Sequence, residues 1–82
     1  MSIVNFIDPK VIKILRFLAL HREDYFLLQM ISMGTNVPGA STFRIINKLK
    51  KEGIIEIKLM GKLKAYKLKD NRTVRNIIKQ LE

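Results

Sequence analysis

The side chains that could do chemistry in this chain are concentrated on one segment, residues 41 to 51. Ser41, Arg44, Asn47, Lys48 and Lys51 recur there at spacings of three and four, which place them on one side of a helix. Arginine and lysine attract anions, and arginine, asparagine and serine form directional hydrogen bonds. This pattern indicates recognition of an anionic, hydrogen-bonding partner.

Composition excludes most other chemistry. The 82 residues contain no cysteine and one histidine, His21, which excludes a disulfide framework, a thiolate metal site and a cysteine nucleophile. Glu23 and Asp24 are adjacent, near an expected helix start, where stabilising the helix dipole accounts for them. We therefore expect no enzymatic activity, no cofactor and no metal.

Length and charge limit the organisation and the partner. Eighty-two residues suffice for one small domain, so we expect residues 1–82 to form a single unit. The net charge is +9, and it is unevenly distributed. Residues 1–40 carry four basic and three acidic side chains, whereas residues 41–82 carry twelve and four. A polyanion, either nucleic acid or an anionic membrane, is expected to meet the second half.

The membrane alternative has weaker support. No apolar run exceeds four residues, far below the roughly 20 that span a bilayer, and the N-terminus lacks the features of a signal peptide. Residues 71–82 are amphipathic and basic, but they are short and lack tryptophan. We expect a cytoplasmic protein without a membrane partner.

A first helix is predicted from Pro9 to about Leu20, with Asp8 as its N-cap. Its apolar stripe comprises Val11, Ile14, Leu15 and Leu18. A second helix is predicted to begin near Glu23 and Asp24 and to end near Gly34. Its apolar face comprises Leu27, Leu28 and Ile31.

A turn over residues 35–38 separates the second helix from a third. Asn36 is the residue type that, after glycine, best tolerates the left-handed conformation. The third helix is predicted from about Gly39 to Glu52, and Gly53 is suited to end it. Its buried face is predicted to comprise Thr42, Ile45, Ile46 and Leu49.

After Gly53 the apolar period changes to two, which predicts a strand. If Gly61 and Lys62 form a two-residue II′ turn, the returning strand places Tyr66 opposite Ile57 and Leu68 opposite Ile55, with the apolar side chains on one face. The hairpin carries four lysines, Lys58, Lys62, Lys64 and Lys67.

A final helix is predicted after Asp70 or Asn71, one of which caps it. Its apolar stripe comprises Val74, Ile77, Ile78 and Leu81. Little other protein remains to cover this stripe. It either folds back on the first helix or pairs with the same helix of a second copy, and we favour the homodimer.

The stretch from Asn36 to Ile55 resembles the recognition-helix signature of prokaryotic winged helix-turn-helix regulators, especially archaeal ones of the TrmB and MarR types. The matching positions are Val37, Phe43, Ile46, Leu49, Gly53, Ile54 and Ile55. Residues 64–68 are similar to the returning wing strand, and the resemblance covers about residues 8–69. Asn36, in place of the usual turn glycine, and the small pair Gly39 and Ala40 depart from the pattern.

The resemblance implies an α+β fold: a three-helix core, a two-stranded hairpin wing and a C-terminal helix. It also implies a sequence-specific regulator of transcription, most simply a repressor, that binds double-stranded DNA with the third helix in the major groove. The base-reading residues would be Ser41, Arg44 and Asn47. Backbone contacts would come from Gly39, Ala40, Lys48 and Lys51 on the helix and from Lys58, Lys62 and Lys64 on the wing.

Other interpretations of the same residues remain open. Winged helices also serve as protein-binding modules in nucleic-acid-processing assemblies. A basic helix face can simply be solvated, and edge strands carry lysine to prevent edge-to-edge pairing. For Phe43 we expect half-buried packing in preference to stacking on a base.

Overall fold

The computed structural model describes residues 8–82, which form four helices and three strands. The helices are α1 (Pro9–Leu20), α2 (Leu28–Thr35), α3 (Gly39–Lys51) and α4 (Arg72–Leu81). The strands are β1 (Phe26–Leu27), β2 (Ile55–Met60) and β3 (Leu63–Leu68). They form one antiparallel sheet in the order β1-β3-β2. The predicted α+β class is confirmed, and β1 is the strand that the sequence did not predict.

Helix α1 follows its prediction. Asp8 adopts an extended conformation and its Oδ1 accepts a hydrogen bond of 2.9 Å from the Lys10 backbone N–H, while Pro9 occupies the first helical position. The four residues of the predicted stripe are buried in the core, together with Ile31 of α2 and Ile46 and Leu49 of α3. Burial of this stripe is the main stabilisation of a helix of this length.

The predicted start of α2 is wrong. Glu23 lies in a turn and Asp24 follows it, ahead of β1 and four residues before the helix begins at Leu28. Phe26 pairs with Tyr66 and Leu27 with Ala65 of β3, so pairing with a strand distant in sequence overrides the local helical pattern. The two carboxylates therefore do not stabilise the dipole of α2.

The end of α2 is close to its prediction, because the helix ends at Thr35, one residue beyond Gly34. A Cβ at Gly34 would lie 2.5 Å from Cε1 of the Phe17 ring, so a larger residue there would force this ring of α1 to shift. Asn36 caps the end of the helix, and its φ of 60° is left-handed as predicted.

The hairpin register is confirmed. Ile57 lies opposite Tyr66 and Ile55 opposite Leu68, and Gly61 at the turn has a φ of 64°. Ile55, Tyr66 and Leu68 are buried, which fixes the base of the hairpin to the core. Towards the turn the hairpin extends beyond the core, and its apolar residues Leu59, Met60 and Leu63 are exposed.

Helix α4 is capped by Asn71, whose Oδ1 accepts a hydrogen bond from the Val74 backbone N–H and whose Nδ2 donates to the Gly53 carbonyl. Val74 and Ile77 are buried within the chain, where α4 packs against α1. These two residues therefore cannot form the dimer interface predicted for them, because the core already covers them. Ile78 and Leu81 remain partly exposed.

Within residues 8–82, no helix has both the length and the apolar composition needed to cross a membrane.

Candidate nucleic-acid interface

The turn between α2 and α3 fixes the direction in which α3 leaves the core. The Ser32 hydroxyl donates a 2.6 Å hydrogen bond to the Val37 carbonyl, and Val37 itself is buried. The Thr42 hydroxyl donates to the Pro38 carbonyl at 3.0 Å, and the Thr42 backbone N–H donates to the same oxygen at 2.9 Å. The first turn of α3 is thus tied to both the turn and α2.

Helix α3 has the two faces that its sequence predicts. Thr42, Ile45, Ile46 and Leu49 are buried in the core. On the opposite side Arg44, Lys48 and Lys51 are exposed and Asn47 is partly exposed. Because four buried residues fix the rotation of the helix, the exposed side chains are presented from a rigid support.

Gly39 and Ala40 are exposed at the start of α3. No side chain caps this end of the helix, because its N-cap residue is Pro38. The first backbone N–H groups of a helix lack intrahelical acceptors and carry the positive end of its dipole. With such small side chains in the first turn, an anion could approach these N–H groups closely.

Ser41 is not on the open face where the sequence places it. It is 7% exposed, and its hydroxyl oxygen accepts a 3.2 Å hydrogen bond from the Arg44 guanidinium. It occupies the edge of the buried face, one turn before the buried Ile45. Ser41 therefore orients the arginine, and Arg44 itself remains exposed.

The wing lysines have different surroundings. Lys62 and Lys64 are exposed near the hairpin turn. The Lys58 and Lys67 ammonium groups instead lie 5.4 and 4.8 Å from the centre of the Tyr25 ring, within range of cation–π attraction. Of the three lysines predicted to contact DNA from the wing, Lys58 is thus the one that already contacts protein.

Tyr25 is held on the sheet by Glu56. Its hydroxyl donates a 2.7 Å hydrogen bond to Glu56 Oε2, and this bond, with smaller contributions from burial and from the negative charge of the carboxylate, raises the pKa of Tyr25. The sequence contained no signal for this contact, because Tyr25 and Glu56 are 31 residues apart and meet only when β1 joins the sheet.

A groove of about 490 Å³ lies where Phe43 of α3, the wing and the junction of β1 with α2 meet. Phe43 forms part of its wall, Leu28 and Leu63 are apolar residues that also line it, and Lys62 and Lys64 lie along it. Phe43 is 55% exposed, so the packing expected for this residue is only partial. The rest of its surface is open to this groove.

The residual apolar surface of α4 lies in a second groove, of about 280 Å³, between α1 and α4. Ile78 and Leu81 line it together with Ala19 and Leu20, and Leu20 is 81% exposed. Arg16 and Glu82 are the charged residues along this groove. Of the four residues predicted for a dimer interface, Ile78 and Leu81 are the two that are accessible here.

Ion pairing differs between the surroundings of Asp70 and the basic residues of α3 and the wing turn. Among residues 8–82, the ion pairs are those of Asp70 with Arg75, at 2.8 Å, and with Arg22, at 3.6 Å. The cations of α3 and of the wing turn form none within the same residues. Nor do three His, Cys, Asp or Glu side chains in this part of the chain come together as metal ligands would.

The sequence matches no protein-family model, and no curated protein matches it. Solved structures, in contrast, are similar. The transcriptional repressor BigR from Xylella fastidiosa superposes with a TM-score of 0.73 at 15% identity, covering 88% of this chain and 68% of BigR. The homodimeric winged helix-turn-helix DNA-binding domain Mb0332 from Mycobacterium bovis, a possible ArsR-family regulator, gives 0.71 at 19% identity over 90% of this chain and 67% of its own.

A MepR variant from S. aureus, bound to an oligodeoxyribonucleotide, gives a TM-score of 0.69 at 14% identity. The match covers 89% of this chain and 59% of the MepR chain, so this chain spans about three fifths to two thirds of the three structures. At these identities the likeness concerns architecture. It confirms the winged helix-turn-helix fold that the sequence predicted.

Proposed function

We propose that this winged-helix chain binds double-stranded DNA sequence-specifically and regulates transcription in the cytoplasm, as a repressor that occupies a site near a promoter. The observation that carries the proposal is the exposed basic face of α3, fixed rigidly by the core and free of ion pairs within residues 8–82. The DNA-bound MepR structure, which shares the fold, supports it.

The residues divide by the DNA atoms that they would contact. Arg44 and Asn47 read base edges in the major groove, where arginine suits guanine and asparagine suits adenine. Ser41 acts through its hydrogen bond to Arg44 as a positioning residue. Lys48, Lys51 and the exposed start of α3 at Gly39 and Ala40 bind phosphates, as do Lys62 and Lys64 of the wing.

A salt titration tests this function. If about five phosphates are contacted per domain, log K falls with log[salt] with a slope of about −4 to −5 per domain. Lys48→Ala should flatten this slope by roughly one. Lys79→Ala is the matched control, because Lys79 is an exposed lysine on α4, and it should leave the slope unchanged. Absence of duplex binding at low salt would disprove the proposal.

We further propose that the protein acts as a homodimer through the groove between α1 and α4. The apolar surface left on Leu20, Ile78 and Leu81 supports this, as does the homodimeric state of Mb0332. Two recognition helices related by a two-fold axis would meet an inverted repeat with half-site centres roughly 34 Å apart.

Sedimentation tests the dimer. Ile78→Glu places a charge in the groove and should yield monomers, whereas Gln80→Glu, an exposed position on the same helix, should leave the mass of the dimer unchanged. An Ile78→Glu protein with the same sedimentation as the wild type would show that this groove is not the interface.

The alternative function is that of a protein-binding module. It is favoured by the exposed apolar residues at the wing turn, Leu59, Met60 and Leu63, because protein interfaces use such patches. The salt titration separates the two functions, since a protein-binding module has no reason to bind duplex DNA with a slope that depends on Lys48.

A further inference from the structure

The exposed face of α3 is not uniformly polar, and its apolar part faces the wing. Phe43 is 55% exposed and lines the groove that also contains Leu63, Lys62 and Lys64. Successive residues of a helix are about 100° apart, so Phe43 and Arg44 point in clearly different directions. Arg44 leans towards Ser41, which lies on the side of α3 away from Phe43.

This groove combines two kinds of surface. A phenyl ring and a leucine side chain favour an apolar group, and the two lysines favour an anion close to it. Duplex DNA supplies both at short range. The 5-methyl of thymine is the apolar group of the major groove, and it lies near the phosphates of its own strand.

We propose that Phe43 contacts the 5-methyl group of a thymine in each half-site, on the strand whose phosphates bind Lys62 and Lys64. This inference rests on the proposed DNA-binding function and adds a specificity-determining residue to it. In this arrangement Arg44, on the Ser41 side of α3, contacts a base of one DNA strand. Phe43, on the wing side of the helix, contacts a thymine methyl.

The methyl group can be deleted without changing base pairing, which gives a direct test. A duplex bound tightly by the wild type is selected from random DNA, and each thymine is replaced in turn by deoxyuridine. Loss of one buried methyl should weaken wild-type binding about fourfold at one position per half-site. Phe43→Ala should bind the thymine and uracil duplexes equally well at that position.

Two further variants control for indirect effects. Phe43→Leu retains an apolar side chain and should keep part of the discrimination. Met33→Ala removes an exposed apolar side chain from α2, outside the groove, and should discriminate as the wild type does. Thermal melting should show all variants folded, because both substituted side chains are exposed.

Two results would overturn the inference while leaving the proposed function intact. One is a wild type that binds duplex DNA but is indifferent to uracil at every position. The other is a Phe43→Ala protein that still prefers thymine at the sensitive position, which would assign the methyl contact to another residue. Failure of duplex binding itself would instead refute the DNA-binding function, and this inference with it.

Discussion

Two basic surfaces of the molecule differ in what their cations contact. The first, called here the α3–wing surface, comprises Arg44, Asn47, Lys48, Lys51, Lys62 and Lys64. The second, the Tyr25–Asp70 surface, comprises Arg22, Tyr25, Glu56, Lys58, Lys67, Asp70 and Arg75. On the second, each cation meets an aromatic ring or a carboxylate: Lys58 and Lys67 lie over Tyr25, while Arg22 and Arg75 pair with Asp70.

On the α3–wing surface the cations find no carboxylate among residues 8–82, and Arg44 has only the neutral Ser41 as a partner. A cation with an internal partner is partly neutralised by it, whereas one without such a partner is available to bind an external anion. Part of the excess positive charge of residues 41–82 therefore pairs within the protein, and part remains available to an external anion. The net charge alone does not show which cations belong to which part.

The largest difference in DNA affinity is expected between two double variants, each of which removes two positive charges from one of these surfaces. Lys48→Gln with Lys51→Gln should weaken duplex binding about a hundredfold, since each lost charged hydrogen bond costs roughly tenfold. Arg22→Gln with Arg75→Gln removes the same net charge and should cost less than about threefold, because distant charges are screened by salt. Gel-shift titrations at one fixed salt concentration would measure the duplex affinity of both double variants. Equal losses of affinity would contradict the difference between the two surfaces.

The next largest effect is expected from the packing of α2 against α1. Gly34→Ala forces a Cβ against the Phe17 ring and should lower the free energy of unfolding by about 1 to 3 kcal/mol. Gly39→Ala is the matched control, because a Cβ there meets nothing within 4 Å and alanine favours the helix. Denaturant unfolding would measure both. A stable Gly34→Ala protein would show that the Phe17 ring moves aside at little cost.

Arg44→Ala should act on specificity within the α3–wing surface. We expect about tenfold weaker binding to the selected duplex and a much smaller loss on random duplex, because a bidentate guanine contact discriminates among bases. Ser41→Ala should reproduce part of this loss, since it removes the acceptor that holds the guanidinium. Equal losses on selected and random duplexes would mean that Arg44 contacts only the backbone.

The smallest effect concerns the Tyr25–Asp70 surface. Tyr25→Phe removes the hydrogen bond to Glu56 and should lower stability slightly without changing DNA affinity. The folded pKa of Tyr25 is raised above its ordinary 10.0, so this contribution is complete below pH 10 and is lost as pH rises through the folded pKa. The free energies of unfolding of the wild type and of Tyr25→Phe should therefore converge at alkaline pH. A difference that stays constant with pH would show that the Tyr25 hydroxyl is not its cause.

The elements predicted correctly are those whose signals are local. The Asp8 cap, the left-handed Asn36, the buried stripe of α3 and the hairpin register follow from residue type and spacing over a few positions. Strand β1 could not be predicted in this way. Its two residues become a strand only because β3, some forty residues later, offers an edge to pair with.

In the candidate site, too, local sequence patterns predict some features and miss those that join distant segments. The outward positions of Arg44, Lys48 and Lys51 follow from helical periodicity, but Ser41 lies at the edge of the buried face, where periodicity is ambiguous. The groove beside Phe43 and the Lys58–Tyr25 contact each join segments that are far apart in sequence. Such features depend on tertiary packing, which local patterns do not encode.

The short first strand has a mechanical consequence for the wing. Strand β1 pairs with only two of the six residues of β3, Tyr66 and Ala65, so beyond Ala65 the wing is a two-stranded ribbon. Two-stranded ribbons twist more than wider sheets and are less stable by themselves. We therefore expect this part of the wing to bend more readily than the three-stranded part of the sheet, while α3, which four buried residues fix to the core, keeps its orientation.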